Sequence, residues 1–136
     1  MAIHDVVAKA QELILASVAK VTEAPEYPIF APPSGLVCEA LPTNIRISIG
    51  TFGTKERTFD LRLELVIPLT DIHDNHYFID SLPEDVSDVF FDDVTIGGTC
   101  DMWEGEITSQ LAISEIAGIN VIGWIIIVPD ISISGG

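Results

Sequence analysis

The sequence predicts an α+β domain: an antiparallel or mixed β-sheet built on a long central hairpin, flanked by an N-terminal helix and a middle helix. Three observations predict it. Across 44–68, Ile45, Ile47 and Ile49 alternate with Arg46, Ser48 and Gly50, and then Phe59, Leu61, Leu63, Leu65 and Ile67 alternate with Asp60, Arg62 and Glu64. Near the N-terminus, Ile3, Val6, Val7, Ala10, Leu13, Ile14 and Val18 fall at helical spacing. Residues 121–128 form an almost unbroken apolar run, the mark of a strand covered on both faces.

The 136 residues fit a single domain, 1–136, long enough to bury one sizeable core. Hydrophobic residues make up 48% of the chain, which favours folding over disorder. The net charge is −15, from 21 acidic residues against 6 basic. That charge argues against nucleic-acid binding, which needs a positive footprint to displace phosphate counterions. Binding to an anionic membrane is disfavoured for the same reason. An acidic protein can still stand beside DNA without holding it. The first twenty residues carry Asp5 and lack a basic start and an unbroken apolar core, so no signal peptide is expected. Cys38 and Cys100 are then expected as free, buried thiols.

Taken in order, the first helix is expected over 2–21, with Asp5 near its start and Lys20 near its end, as the helix dipole prefers. Four prolines break the pattern in 22–35, a Pro-rich loop whose Tyr27, Ile29 and Phe30 suggest that it lies against a body or a neighbour. Residues 36–41 read as a short strand ended by Pro42. In the hairpin that follows, the connection 50–58 holds Gly53, Lys55, Glu56 and Arg57. Three of the six basic residues, Lys55, Arg57 and Arg62, fall in or beside it, so a solvated tip or a docking loop is expected there. In 70–93 the spacing is again helical, but Pro83 argues against one continuous helix, and Ser81 with Glu84 fits a capping box starting the main helix near Leu82. Gly97-Gly98 marks a turn. Residues 99–103 read as a possible strand, and in the next one Ile107, Leu111 and Ile113 share a face. The end, 130–136, reads as a flexible tail or an added edge strand.

Catalytic patterns are weak. His73 and His76 lie three apart in Asp71-Ile72-His73-Asp74-Asn75-His76, but no Cys is near and no His-Glu-x-x-His occurs, so exposed polar residues explain them better than a metal site. Asp101, Glu104 and Glu106 resemble an acid–base pair only as far as acids anywhere in so acidic a chain do. Gly-x-Ser-x-Gly, phosphate-loop and dinucleotide patterns are absent. No enzyme activity and no cofactor are expected. Trp124 reads as core, whereas Trp103, between acids, reads as an interface anchor.

The order of elements resembles the tail terminator and related tail-completion proteins of long-tailed phages. The resemblance is carried by 57–67 (Arg57 to Ile67), the helix at 83–91, Ile96-Gly97-Gly98-Thr99-Cys100 and the closing 121–128. It implies a structural virion protein that forms a homo-oligomeric ring, usually hexameric, at the head-proximal end of the tail tube. Such a ring stops tube polymerisation and joins tail to head. It implies as partners further copies of itself, the tail tube protein and a head-completion or neck protein, with assembly in the host cytoplasm and DNA passing through the lumen. Candidate subunit-interface residues are Phe52, Lys55, Arg57, Tyr27, Phe30 and Trp103. Another neck or minor tail protein, a small acidic binding module and a metal-dependent enzyme remain as alternatives.

Overall fold

The computed structural model describes residues 2–18, 21–25, 35–68 and 72–134, with only the backbone for 72–79. The elements run α1 (Ile3–Ser17), β1 (Val37–Ile49), a single 3-10 turn (Thr51–Gly53), β2 (Lys55–Pro68), α2 (Ile72–Asp92), β3 (Thr108–Ile116) and β4 (Ile119–Ser134). All neighbouring strands pair antiparallel in the order β1-β2-β4-β3. The α+β class and both flanking helices are as the sequence predicts. The hairpin is central only through β2; β1 lies on an edge.

The core follows from β2. Phe59, Leu61, Leu63 and Leu65 are fully buried and Ile67 nearly so, all on one face. Ile122, Ile126 and Val128 extend that face on β4, opposite Ile67, Leu63 and Leu61. Both helices lay their apolar stripes on it: Val6, Ala10 and Ile14 from α1, and Leu82, Val86 and Phe90 from α2. Gly123 is required where β4 crosses β2, since a Cβ there would run into the Leu65 carbonyl.

Several boundaries differ from the sequence expectation, each for a physical reason. α1 ends at Ser17 rather than 21; Val18 leaves helical geometry, yet it and Val21 are still buried. Pro42 does not end β1, because an edge strand has one side free of ladder bonds and tolerates a missing N–H. The main helix does not start near Leu82 at a Ser81–Glu84 capping box; α2 runs continuously from Ile72 with Pro83 inside it. Leu82, Val86 and Phe90 hold the helix on the core from the residue before the proline onward, and the Ser87 hydroxyl donates to the Pro83 carbonyl at 2.6 Å. Residues 99–103 form turns and one isolated bridge, Met102 to Ser132, instead of a strand. The end of the chain is not a flexible tail: through Ser134 it is the last part of β4, an interior strand, with Ile131 and Ile133 buried. In β3 the apolar pair Leu111 and Ile113 is exposed, because the helices do not reach that edge. The Asp71–His76 cluster and most of the Pro-rich loop, with Tyr27 and Phe30, lie outside the described side chains. At the loop's start Thr22 donates its N–H to Leu36 at 2.8 Å, and Glu23 bridges to Val37.

The core assignment is checked by urea unfolding. Leu63→Ala should lower stability by about 2–5 kcal/mol, while Ile47→Ser, at a position 63% exposed, should change it by less than about 0.5 kcal/mol.

Candidate functional site

The site is the far end of the β1–β2 hairpin, and Asp60 creates it. Both neighbours of β2 are bulged beside this residue: β1 between Thr43 and Arg46, and β4 opposite Phe59 to Leu61. Each neighbour uses one residue more than β2 across the stretch. The extra residues require left-handed backbone, supplied by Asn44 (φ 52°) and Asp130 (φ 48°), residue types that tolerate it. The Asp60 carboxylate ties the two bulges together. It accepts the Asp130 N–H at 3.1 Å and the Asn44 side-chain amide at 3.3 Å. Arg46 completes the cluster, 3.6 Å from Asp60 and 3.0 Å from Asp130. Bulges bend and twist a sheet; beyond this cluster β2 stays paired with β4 as far as Glu56 and Ser134, with Phe59, Ile131 and Ile133 still buried, while the end of β1 and the turn run on uncovered as a hairpin arm.

On the arm the alternation of β1 persists, but no helix lies over it. Ile45, Ile47 and Ile49 are 48%, 63% and 83% exposed. These residues face the core side of the sheet but stand on its edge strand, where the buried surface that continues along β4 to Ile133 does not reach. Opposite Ile49 and Ile47 stand Lys55 and Arg57. These two basic residues belong to β2 and not to a loop, since the connection is only residues 50–54. That connection is tightly closed. Gly50 donates to the Thr54 carbonyl at 2.6 Å, and Thr54 donates through its hydroxyl to the Thr51 carbonyl at 2.9 Å. Phe52 sits at its apex, fully exposed and at φ 62°, a left-handed conformation unfavourable for a bulky side chain.

Of the residues expected at an interface, Phe52 and Lys55 are exposed on this arm and Arg57 is half-buried at its base. Lys55 makes no ion pair among the described residues. Arg62 is instead turned to the outer face, paired with Glu64 at 2.9 Å. Trp103 is not a surface anchor. It is 4% exposed, donates its indole N–H to the Phe90 carbonyl at 2.9 Å and packs edge-on against Phe91. Ile45, Ile47 and Ile49 were missed as exposed residues because periodicity reports which side of a strand is apolar and not what covers it.

A second feature lies between the helices. A groove of about 470 Å³ runs between α1 and α2. Its floor includes Leu13, Val18 and Val89, and its wall carries Asp85, Asp88, Asp92 and Asp93. Acid recurs at every fourth position of α2, Asp80, Glu84, Asp88 and Asp92, which a helix stacks along one ridge; the last two of these line the groove. Asp93 is held below the usual carboxylate range, chiefly by the Thr95 hydroxyl at 2.7 Å and the Gly97 N–H at 2.8 Å.

The other chemical candidates lie outside both features. Asp101 accepts the Ser134 hydroxyl at 2.6 Å and its N–H at 2.9 Å, pinning the loop after α2 to the end of β4. Glu104 and Glu106 are exposed. Both cysteines are buried and unbridged. Burial, reinforced by Glu39, pushes the Cys38 thiol up to about 12, and burial with Asp101 and Asp93 pushes Cys100 up to about 11. Neither is a nucleophile near neutrality. Among the described residues, no group of three or more His, Cys, Asp or Glu is arranged to hold a metal ion, and no helix is long and apolar enough to cross a membrane. No family model matches the chain, and no curated protein matches it.

Two measurements follow from this chemistry. Asp60→Ala should cost about 1–3 kcal/mol in urea unfolding, since it leaves bulge groups without their acceptor. The raised thiols bind their protons in the folded state, so the stability they contribute is complete below the ordinary thiol value of 9.0 and is lost as pH rises toward about 12 for Cys38. Urea midpoints should therefore fall above pH 9, and Cys38→Ala should flatten that fall.

Proposed function

We propose that this chain is a structural subunit of a phage tail: a ring-forming protein at the head-proximal end of the tail tube that ends tube polymerisation and joins tail to head. The observation that carries the reading is the arm. A closed, hydrogen-bonded tip presents Phe52 fully to solvent, backed by Ile47 and Ile49. Exposed apolar surface on a rigid protrusion is the form of a protein-binding element, because little ordering entropy is lost when it docks. A ring also needs two dissimilar surfaces on each subunit. The basic, apolar arm differs from the acidic remainder of a chain of net charge −15. A negative lumen would repel DNA and let it slide through. The role is assembly and not catalysis; the acids weighed for acid–base chemistry are anchors or open surface.

Electron micrographs of the purified protein should show discrete rings. A phage lacking the chain should make tails of uncontrolled length and heads that remain unjoined. Phe52→Gly offers a finer check: glycine suits φ 62° better than phenylalanine, so the variant should fold at least as well as wild type and yet lose rings. Rings that persist unchanged would remove the arm from the assembly, and joined, normal-length tails without the protein would refute the reading as a whole.

A further inference from the structure

We propose that the hairpin arm of one copy docks into the acidic groove between α1 and α2 of a second copy. The inference rests on the ring reading above and names the acceptor that it lacks. The two surfaces match in kind. The arm offers an exposed aromatic and two isoleucines beside Lys55, and the groove offers an apolar floor of Leu13, Val18 and Val89 under a row of aspartates. Its volume, about 470 Å³, lies within the roughly 300–1,000 Å³ of clefts that enclose sizeable ligands.

The acidic ridge of α2, whose Asp88 and Asp92 line the groove, is costly for the protomer alone. Asp80, Glu84, Asp88 and Asp92 follow one another at i, i+4, and like charges so spaced oppose the helix. Asp92 also stands in the last turn of α2, where no basic residue is present and the helix dipole favours cations. Asp88 and Asp92 are exposed and make no ion pair among the described residues. A lysine brought in by another copy relieves both costs at once. Basic residues are scarce enough to narrow the source. Lys9 is paired with Glu12, Arg46 with Asp60 and Asp130, and Arg62 with Glu64, which leaves Lys55 as the described, exposed cation able to leave its own surface.

The geometry makes the contact head-to-tail. Arm and groove are different surfaces of the same chain, so each copy gives one and receives one, and repetition closes a ring or extends a filament. The like charge of the copies, −15 each, opposes chance association, which favours contacts where charges of opposite sign meet.

Sedimentation velocity of the full chain tests this with a charge swap. Lys55→Glu and Asp88→Lys, each at an exposed position, should each weaken self-association by about tenfold or more, and the double variant should recover most of the loss. Circular dichroism and urea unfolding should show both single variants folded. If wild type assembles and neither single variant weakens it, or if the double variant fails to recover, the docking is wrong while the ring reading stands. Should Asp88→Lys alone act, the groove takes a different occupant, and the docking is again overturned. A wild-type chain that stays monomeric at all accessible concentrations overturns the ring reading and the docking with it.

Discussion

Everything in this molecule depends on strand β2 being paired on both sides while showing the core one unbroken apolar face. Phe59, Leu61, Leu63, Leu65 and Ile67 supply that face. A shift of one residue in its register would turn all five to the other side of the sheet. Its two neighbours are therefore fixed by what β2 can pair with, and both helices are fixed by the surface they must cover. α1 lies chiefly over β1 and α2 over β4, their buried side chains joining the one core cluster that includes the β2 face, and the indole of Trp103 ties the chain after α2 back to the Phe90 carbonyl.

The same strand also carries the departure from regularity that matters most. Asp60 joins both neighbouring strands: it takes a donor from the bulge in β1 and another from the bulge in β4. On the body side, apolar side chains lie under helices. On the far side, Phe59, Ile131 and Ile133 stay buried, while the isoleucines of β1 run into solvent. Local cost gathers on this part of the molecule, in three exposed isoleucines and a left-handed, fully exposed phenylalanine. A folding chain gains nothing from such an arrangement by itself. Costs of this kind mark places where selection acts on something other than protomer stability.

The acidic ridge of α2 belongs to the same class of feature. Repeated aspartate at helical spacing, ending in the wrong half of the helix dipole, weakens the element that bears it. Leu82, Val86 and Phe90 on the buried side of α2 hold it in place regardless, and they also carry it through Pro83. Tertiary burial overrides local preference in both cases, since a fully buried side chain contributes about 1.5–3 kcal/mol and a single unfavourable charge pair only a few tenths.

Alternation on β2, the spacing of α1 and the apolar run of β4 were legible in the sequence, and they determined the α+β class, the core face and the presence of both helices. Each is a local pattern whose period equals that of the element. What the tertiary structure alone decided is where coverage ends. Ile47 and Leu63 look alike in sequence, each apolar between polar neighbours, yet one is 63% exposed and the other fully buried. The difference is set by how far the helices extend over the sheet, a distance no strand encodes. Likewise Trp103 reads as a surface anchor until α2 offers it a carbonyl, and Lys55 reads as part of a loop until the turn closes in five residues. Periodicity names a face; only packing says whether that face is occupied within the chain or left for another.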